Sequence, residues 1–472
     1  MRAISLQQIQ EATRAQVISQ PNQNFVGIGT DTRVDLSGQL FIALKGESFD
    51  AHAFLSKAVE QNAAGILIHE GFEQIEKFKD KITILKVNDT LKALQSLGTW
   101  ARRQSHAKVV GITGSNGKTT TKEFTAAIVG SAKSVHYNEG SFNNHWGVPF
   151  TLLQLDPGKD VAVVEMGMNH AGEIIELVKI AEPDVVVCTM VGRAHIEHFG
   201  TIEKIAEAKE EIYITASKQC TQVFNLDTDQ THLMYMRARE RNPGGKFITF
   251  SSLNPEADVF LKIINLSMSD LQVEGTIKNI KGQVRVTVFG SQNLTNLMAA
   301  AAVSLGAGLN PDEVWKGLEK CRTNWGRNQL VHLKSGAQLI FDAYNANPDS
   351  MKALIDNIKL LKNPGKKIGV FGEMLEMGEL AGDLHKELGT LVGKAGFEKV
   401  YFTGPHCREF FEGLKASHFE KACHVEKEFK EEMAQSLSEE LRDGDIAVVK
   451  GSRGMKLERF VLRCEPLDFD NK

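Results

Sequence analysis

Little in this chain points to a special environment. Its six cysteines (Cys188, Cys220, Cys321, Cys407, Cys423, Cys464) are scattered, and none forms a C-x-x-C pair. A disulfide framework or a zinc site of the paired-cysteine kind is therefore not expected. A reducing cytoplasm is the simplest home. Net charge is only −4, so no bulk field draws the chain to nucleic acid or an anionic membrane. No apolar run approaches the roughly 18 residues of a membrane span. The opening MRAISLQQIQEATRA lacks the apolar core of a signal peptide. No repeat period and no low-complexity segment is visible. What remains is an ordinary globular balance, 42% hydrophobic and 24% charged over 472 residues. That length suggests roughly two to four domains.

Short apolar runs alternate with amphipathic stretches, the rhythm of α/β units with parallel strands. In a first block the strands read as 39–44, 64–69 and 82–87. A helix, TLKALQSLGTWARRQ, leads into a second block with strands at 108–113, 161–166, 184–190 and 222–226. From Asp258 to Phe289 apolar and polar residues alternate, which predicts an antiparallel meander. A third block has strands at 337–341, 367–372, 399–404 and 445–451. The expected division is residues 1–88, 89–326 and 327–472. In open α/β sheets ligands sit at the carboxyl ends of strands, where most polar motifs of this chain fall.

The sharpest motif is VVGITGSNGKTTTKEF. A strand ends at Thr113, a glycine-rich loop follows (Gly114, Ser115, Asn116, Gly117), and a helix opens near Lys118. Backbone N–H groups of such a loop converge on phosphate oxygens, and the helix N-terminus adds positive potential. Lys118 would reach the outer phosphates, with the Thr119 hydroxyl on Mg2+ and Thr120 beside it. The general phosphate loop has glycine five residues before Gly117. Here that residue is Ile112, and Gly114 lies inside the loop.

Other residues stay open on the sequence alone. Glu165 ends the strand run VAVVEM, as a solvated acid or a metal ligand. His195 follows the next strand, as a structural hydrogen-bonder or a ligand. Lys209 shares a helix face with Ile205, Ala206, Ile212 and Tyr213 and has no acid in pairing position; a surface lysine remains the plain reading. Asn293 and Asn296 share a face at a helix start, where one cap needs only one of them. Arg327 stands at the second boundary, either an ordinary interdomain arginine or a reach to phosphate. Asp342, Tyr344, Asn345 and Asn347 fall in FDAYNANPDS, a strand end followed by a turn. The loops VFGEMLEMGE and VVKGSRGMKLE, the latter with Lys450, Ser452 and Arg453, also end strands, either as solvated loop residues or as groups that catch carboxylates.

TGSNGKTT, with its short glycine spacing, resembles the Mur ligases and their folylpolyglutamate synthase relatives, ATP-dependent amide-forming enzymes of three α/β domains. The resemblance extends over all three blocks. It implies an N-terminal UDP-muropeptide domain and a central phosphate-loop domain whose parallel sheet carries a small antiparallel region. It implies a C-terminal Rossmann-like domain that binds the amine substrate. It implies ATP and two Mg2+ ions as cofactors. Glu165 would bind Mg2+, His195 a second Mg2+, and Lys209 would carry CO2 as a carbamate that helps hold metal. Asn293 and Asn296 would lie near adenine, Arg327 on ATP phosphates and Asp342 on the ribose. Lys118, Lys209, His195 and Arg327 would be the catalytic set.

Asp31, Thr32, Arg33, Lys45, Asp50 and His52 resemble the uridine-nucleotide pocket, and Asn143 and Asn144 a muropeptide contact. Ala51 and Ser141 stand where family members usually have Gly and Asn. The DAYNANP pattern resembles the members that join D-alanyl-D-alanine to UDP-N-acetylmuramoyl-tripeptide in peptidoglycan, cell-wall and hence cell-division metabolism, with Tyr344, Asn345 and Asn347 as the dipeptide wall. The tripeptide carboxylate would attack the γ-phosphate, giving an acyl phosphate that the dipeptide amine then opens, with domain closure assembling the site. A monomer is expected. A ligase adding a single amino acid, a folate polyglutamylase and, from another class, a regulatory NTPase are the alternatives.

Overall fold

A computed structural model describes residues 3–46, 49–79, 81–138, 140–361 and 365–470. The chain forms two compact units. The first comprises 1–112, 133–186 and 211–220, and the second 113–132, 187–210 and 221–472. Both are α/β, as the alternating rhythm predicts.

In the first unit a five-stranded sheet runs in the order Gln16–Ser19, Thr83–Val87, Gly65–His69, Leu40–Ile42, Ile28–Gly29. All neighbours are parallel except the first pair. Side chains alternate between its faces. Leu40, Ile42, Leu67 and Leu85 enter one core with the helix Thr90–Arg103; Phe41, Ile66, Ile68 and Ile84 enter the other. Burial on both faces explains why these strands read as continuous apolar runs. Asp89 caps the helix by accepting from the N–H groups of Leu91 and Lys92. The same unit sets Val161–Glu165 parallel to Lys108–Thr113 on one side and to Val135–Tyr137 on the other.

In the second unit, strands Thr221–Asn225, Lys246–Ser251 and Val259–Leu266 pair in parallel, then Leu271–Ile277 and Ile280–Val286 continue antiparallel. This is the expected meander. A six-stranded sheet follows in the order Gln329–His332, Gln338–Asp342, Ile446–Lys450, Lys367–Gly372, Lys399–Thr403, Ala422–Glu426, parallel except at its first pair. The strands that the sequence pattern does not show include Gln329–His332, Ala422–Glu426 and Val135–Tyr137. Each has exposed or half-buried positions in place of a continuous apolar run.

Candidate functional site

The phosphate loop lies between the strand Lys108–Thr113 and the helix Lys118–Gly130. Its glycine spacing has a steric cause. Gly114 adopts φ +146°, and a Cβ there would meet Thr189 Oγ1 at 1.9 Å; Gly117 adopts φ +82°, and its Cβ would meet Asn296 Oδ1 at 2.1 Å. Both positions exclude side chains on backbone and packing grounds together. The loop is held from the segment after Val185–Cys188. Thr189 Oγ1 donates to the Asn116 carbonyl (2.6 Å), Ser115 N–H donates to the Met190 carbonyl, and Ser115 Oγ accepts from Gly192 N–H (2.9 Å). Lys118 Nζ donates to the Gly114 carbonyl at 2.8 Å. The helix N-cap is Gly117, with no side chain capping it, so its first N–H groups face the loop, as an anion site requires.

Asn296 and Asn293 are buried at the start of Asn293–Gly306. Asn296 Nδ2 donates to Asn293 Oδ1 (3.0 Å), and Asn293 Nδ2 donates to the Phe289 carbonyl (2.7 Å). Neither is the cap, which is Gln292. Asn296 Oδ1 lies 3.4 Å from Thr121 Oγ1 on the phosphate-loop helix, so the pair packs directly behind the loop.

Residues of the chain's last third converge on the same loop. Arg327 Nη2 donates to Thr119 Oγ1 (3.2 Å), and its guanidinium lies 4.3 Å over the Tyr344 ring, a cation–π contact. Asn347 caps the helix Pro348–Leu360 in a capping box with Ser350, and its Nδ2 donates to Asn116 Oδ1 at 2.8 Å. Asp349 accepts from Arg193 N–H at 2.6 Å. Asp342 is engaged by Lys450 Nζ (2.5 Å) and by Asn328 N–H (3.1 Å), and Lys450 Nζ also donates to the Asn345 carbonyl (3.4 Å). Lys450 therefore holds the strand end that carries Asp342. Asn345 Oδ1 accepts from Ala346 N–H.

Lys209 is 1% exposed, which overturns the surface reading. No carboxylate forms an ion pair with it among the described residues, and its neighbour Glu210 is taken by Arg237 and Arg241. Burial, with the Lys118 charge as a second cause, pulls its pKa down to about 7. His195 has φ +62°. Its Nδ1 is 2.9 Å from Glu376 Oε2, while burial lowers its pKa and Glu376 opposes that.

In the first unit, Glu165 is buried and not solvated. Its Oε1 accepts from Asn143 Nδ2 (2.7 Å), while its Oε2 is buried with no hydrogen-bond partner among the described residues. A buried carboxylate oxygen left open is what a hard cation would satisfy. The Thr119 hydroxyl and His195 fit the same donor chemistry. Asn144 Oδ1 accepts from Gly147 N–H, opening the helix Gly147–Leu153. A cavity of about 420 Å³ is lined by Lys45, Asp50, His52, His69, Phe72 and Lys77, among others. Asp50 accepts from His52 N–H and Nδ1, and His52 Nε2 accepts from His69 N–H. The sequence reading found the first three lining residues but not His69, Phe72 or Lys77, which carry no turn or motif signal. Asp31 and Arg33 pair with each other at the surface (2.7 Å) and Thr32 is buried between them; none of the three lines the cavity. Glu47 and Ser48, within the stretch from Lys45 to His52, lie outside the described residues.

Glu373, His385 and His406 bring three possible metal-ligating atoms close together. Their geometry is that of a brace. The two imidazoles stack with centroids 4.9 Å apart and planes 14° from parallel, so their in-plane lone pairs do not converge on one ion. His385 is also fully engaged, Nδ1 with the Ala381 carbonyl (2.7 Å) and Nε2 with Met374 N–H (3.0 Å).

Two known domain families match the chain, the Mur ligase middle domain over residues 112–304 and the "Mur ligase, glutamate ligase domain" over 326–453. The UDP-N-acetylmuramoyl-tripeptide–D-alanyl-D-alanine ligase of Bacillus subtilis is 35% identical, covering 92% of each chain. The crystal structure of MurF from Acinetobacter baumannii superposes with TM-score 0.87 at 30% identity, covering 98% of this chain and 99% of that one. MurF ligase from Thermotoga maritima, solved with ADP, gives TM-score 0.78 at 27% identity over 93% and 96%. The chain belongs to the Mur ligase family of ATP-dependent, amide-forming enzymes. Within that family it resembles MurF, the D-alanyl-D-alanine-adding ligase. No helix among the described residues is long and apolar enough to cross a membrane.

Proposed function

We propose that this chain joins D-alanyl-D-alanine to UDP-N-acetylmuramoyl-tripeptide with ATP, giving the pentapeptide precursor of peptidoglycan. The observation that carries the reading is the junction of two loops. TGSNGKTT and DAYNANP, the motif of nucleotide binding and the motif of the dipeptide-adding members, meet through the Asn347–Asn116 hydrogen bond. Lys118, the open helix N-terminus behind it and Arg327 offset the repulsion between the tripeptide carboxylate and the γ-phosphate. In-line attack gives an acyl phosphate and ADP. The dipeptide amine then attacks the acyl carbon, forming the amide and expelling phosphate.

We assign Thr119 and Glu165 as Mg2+ ligands, His195 to a second Mg2+, and a carbamylated Lys209 as an anion that helps hold metal. Bound Mg2+ would neutralise charge on the phosphoryl oxygens. A buried lysine with its pKa near 7 is roughly half uncharged at neutral pH, against one in a few thousand for an ordinary lysine. The free amine is the form that takes up CO2, and the carbamate anion would restore charge balance beside Lys118. Asp342 is assigned to the ATP ribose, and Asn293 and Asn296 to the surroundings of adenine. Asp31, Thr32, Arg33, Lys45, Asp50 and His52 are assigned to the uridine nucleotide, Asn143 and Asn144 to the muropeptide, and Tyr344, Asn345 and Asn347 to the dipeptide. The functional division is 1–88, 89–326 and 327–472, in a cytoplasmic monomer. An ADP-release assay decides it: ADP appears only with UDP-N-acetylmuramoyl-tripeptide and D-alanyl-D-alanine together. Silence with that pair rejects the reading. Faster turnover with a single amino acid points to a sibling ligase, and hydrolysis indifferent to muropeptide points to a regulatory NTPase.

A further inference from the structure

We propose that Glu376 is a positioning residue for His195, holding the imidazole as the tautomer protonated on Nδ1 and so presenting Nε2 to a divalent cation. The proposal rests on His195 as a metal ligand. Both partners sit in strained backbone. His195 has φ +62° and Glu376 φ +64°, a region that residues other than glycine seldom enter. Two such residues meet at 2.9 Å, Glu376 Oε2 to His195 Nδ1. Nδ1 is buried, with no other hydrogen-bond partner among the described residues.

The loop bearing Glu376 is braced to stay there. Met374 N–H donates to His385 Nε2, Leu375 N–H donates to Ser452 Oγ (3.0 Å), and Ser452 N–H donates to the Glu373 carbonyl (3.0 Å). Glu373 also pairs with His406, whose ring stacks on His385. Just beyond, Gly378 has φ +53°, and a Cβ there would come within 2.9 Å of Glu197 Cγ. The loop thus packs against the short helix Ile196–Phe199 that His195 caps. The cluster of Glu373, His385 and His406 gains a role: it fixes the loop that delivers the acid. A carboxylate on the far nitrogen fixes a ligating histidine's tautomer and raises its basicity, and losing such a partner weakens metal binding roughly 10–100-fold. Because Glu376 comes from the last third of the chain and His195 from the middle, the contact makes the metal ligand competent only when those segments are together.

The test uses the full chain labelled with 15N-histidine. Long-range 1H–15N correlation, with His195→Gln for assignment, reads the tautomer of His195. We expect Nδ1–H in the wild type, loss of that preference in Glu376→Ala and its retention in Glu376→Gln, whose amide oxygen still accepts. Mn2+ affinity in the presence of ADP, followed by electron paramagnetic resonance, is expected to fall roughly 10-fold or more in Glu376→Ala and less in Glu376→Gln. Urea midpoints should stay within error of the wild type, which a purely structural role would move. An Nε2–H tautomer in the wild type, or unchanged Mn2+ affinity in Glu376→Ala alongside weakened affinity in His195→Gln, overturns the proposal. Unchanged affinity in His195→Gln instead removes the metal reading of His195, and the tautomer then decides the Glu376 contact by itself.

Discussion

Two loops of the second unit have the same plan and opposite endings. Each leaves the carboxyl end of a strand and opens a helix, one from Thr113 to Lys118 and the other from Asp342 to Pro348. The first helix begins at a left-handed glycine with no side-chain cap. The second begins at Asn347, whose side chain accepts from Ser350 N–H, with proline at its first position. An uncapped helix start leaves N–H groups and the positive end of the dipole for an outside anion. A capped one satisfies them internally. The first loop has the ending that the proposed phosphate site needs. The second is built to hold its own shape, and it offers Tyr344 to Arg327 and Asn347 to Asn116.

The largest effect should come from breaking the first loop's charge. Lys118→Ala removes the side chain that folds back onto the loop at the Gly114 carbonyl and that is proposed to meet the outer phosphates. Turnover in the ADP-release assay is expected to fall by about 10³-fold or more, with the urea midpoint little changed. A loss below about tenfold would place the cation elsewhere.

How far the sequence spoke differs between these loops for a physical reason. Gly114 and Gly117 were legible because nothing but glycine fits a positive φ against Thr189 and Asn296. Steric necessity leaves a mark in residue identity. The meander and the buried parallel strands were legible through their periods. The partners of Asp342 and His195 were not, because a carboxylate or a lysine looks alike in sequence whether solvated or paired. Lys450 and Glu376 come from 108 and 181 positions away respectively, and only the fold brings them in. Lys209 shows the same limit: its apolar helix face hinted at burial, yet the charge argued for the surface.

Lys209 also sharpens the contrast, since the Lys118 charge is one cause of its lowered pKa. Its folded pKa of about 7 lies below the unfolded value of 10.5. Between those limits the unfolded chain holds a proton that the folded chain lacks, so stability rises with pH through that window. Below about pH 7 both states are protonated and the full penalty of burying the charge applies. Lys209→Met cannot titrate. In CO2-free buffer its stability advantage over the wild type should be largest near pH 6 and shrink by up to a few kcal/mol by pH 10. Urea midpoints at both ends measure it, and parallel profiles would show that Lys209 keeps an ordinary pKa. Added bicarbonate should raise the wild type alone, through the carbamate.

The smallest effect tests the second loop. Asn347→Ala removes the cap of Pro348–Leu360 and the hydrogen bond to Asn116, so about 1–2 kcal/mol of stability should be lost. Asn347→Asp keeps a capping oxygen and places negative charge at a helix N-terminus, where it is favourable, but it cannot donate to Asn116 Oδ1. Its stability should lie within about 0.5 kcal/mol of the wild type. If Asn347 is also part of the dipeptide wall, KM for D-alanyl-D-alanine rises several-fold in both variants, including the stable one. A dipeptide KM that moves only with alanine would restrict Asn347 to its cap and leave the wall to Tyr344 and Asn345. The aspartate variant therefore separates what the loop does for its own helix from what it does for a substrate, which the alanine variant alone cannot do.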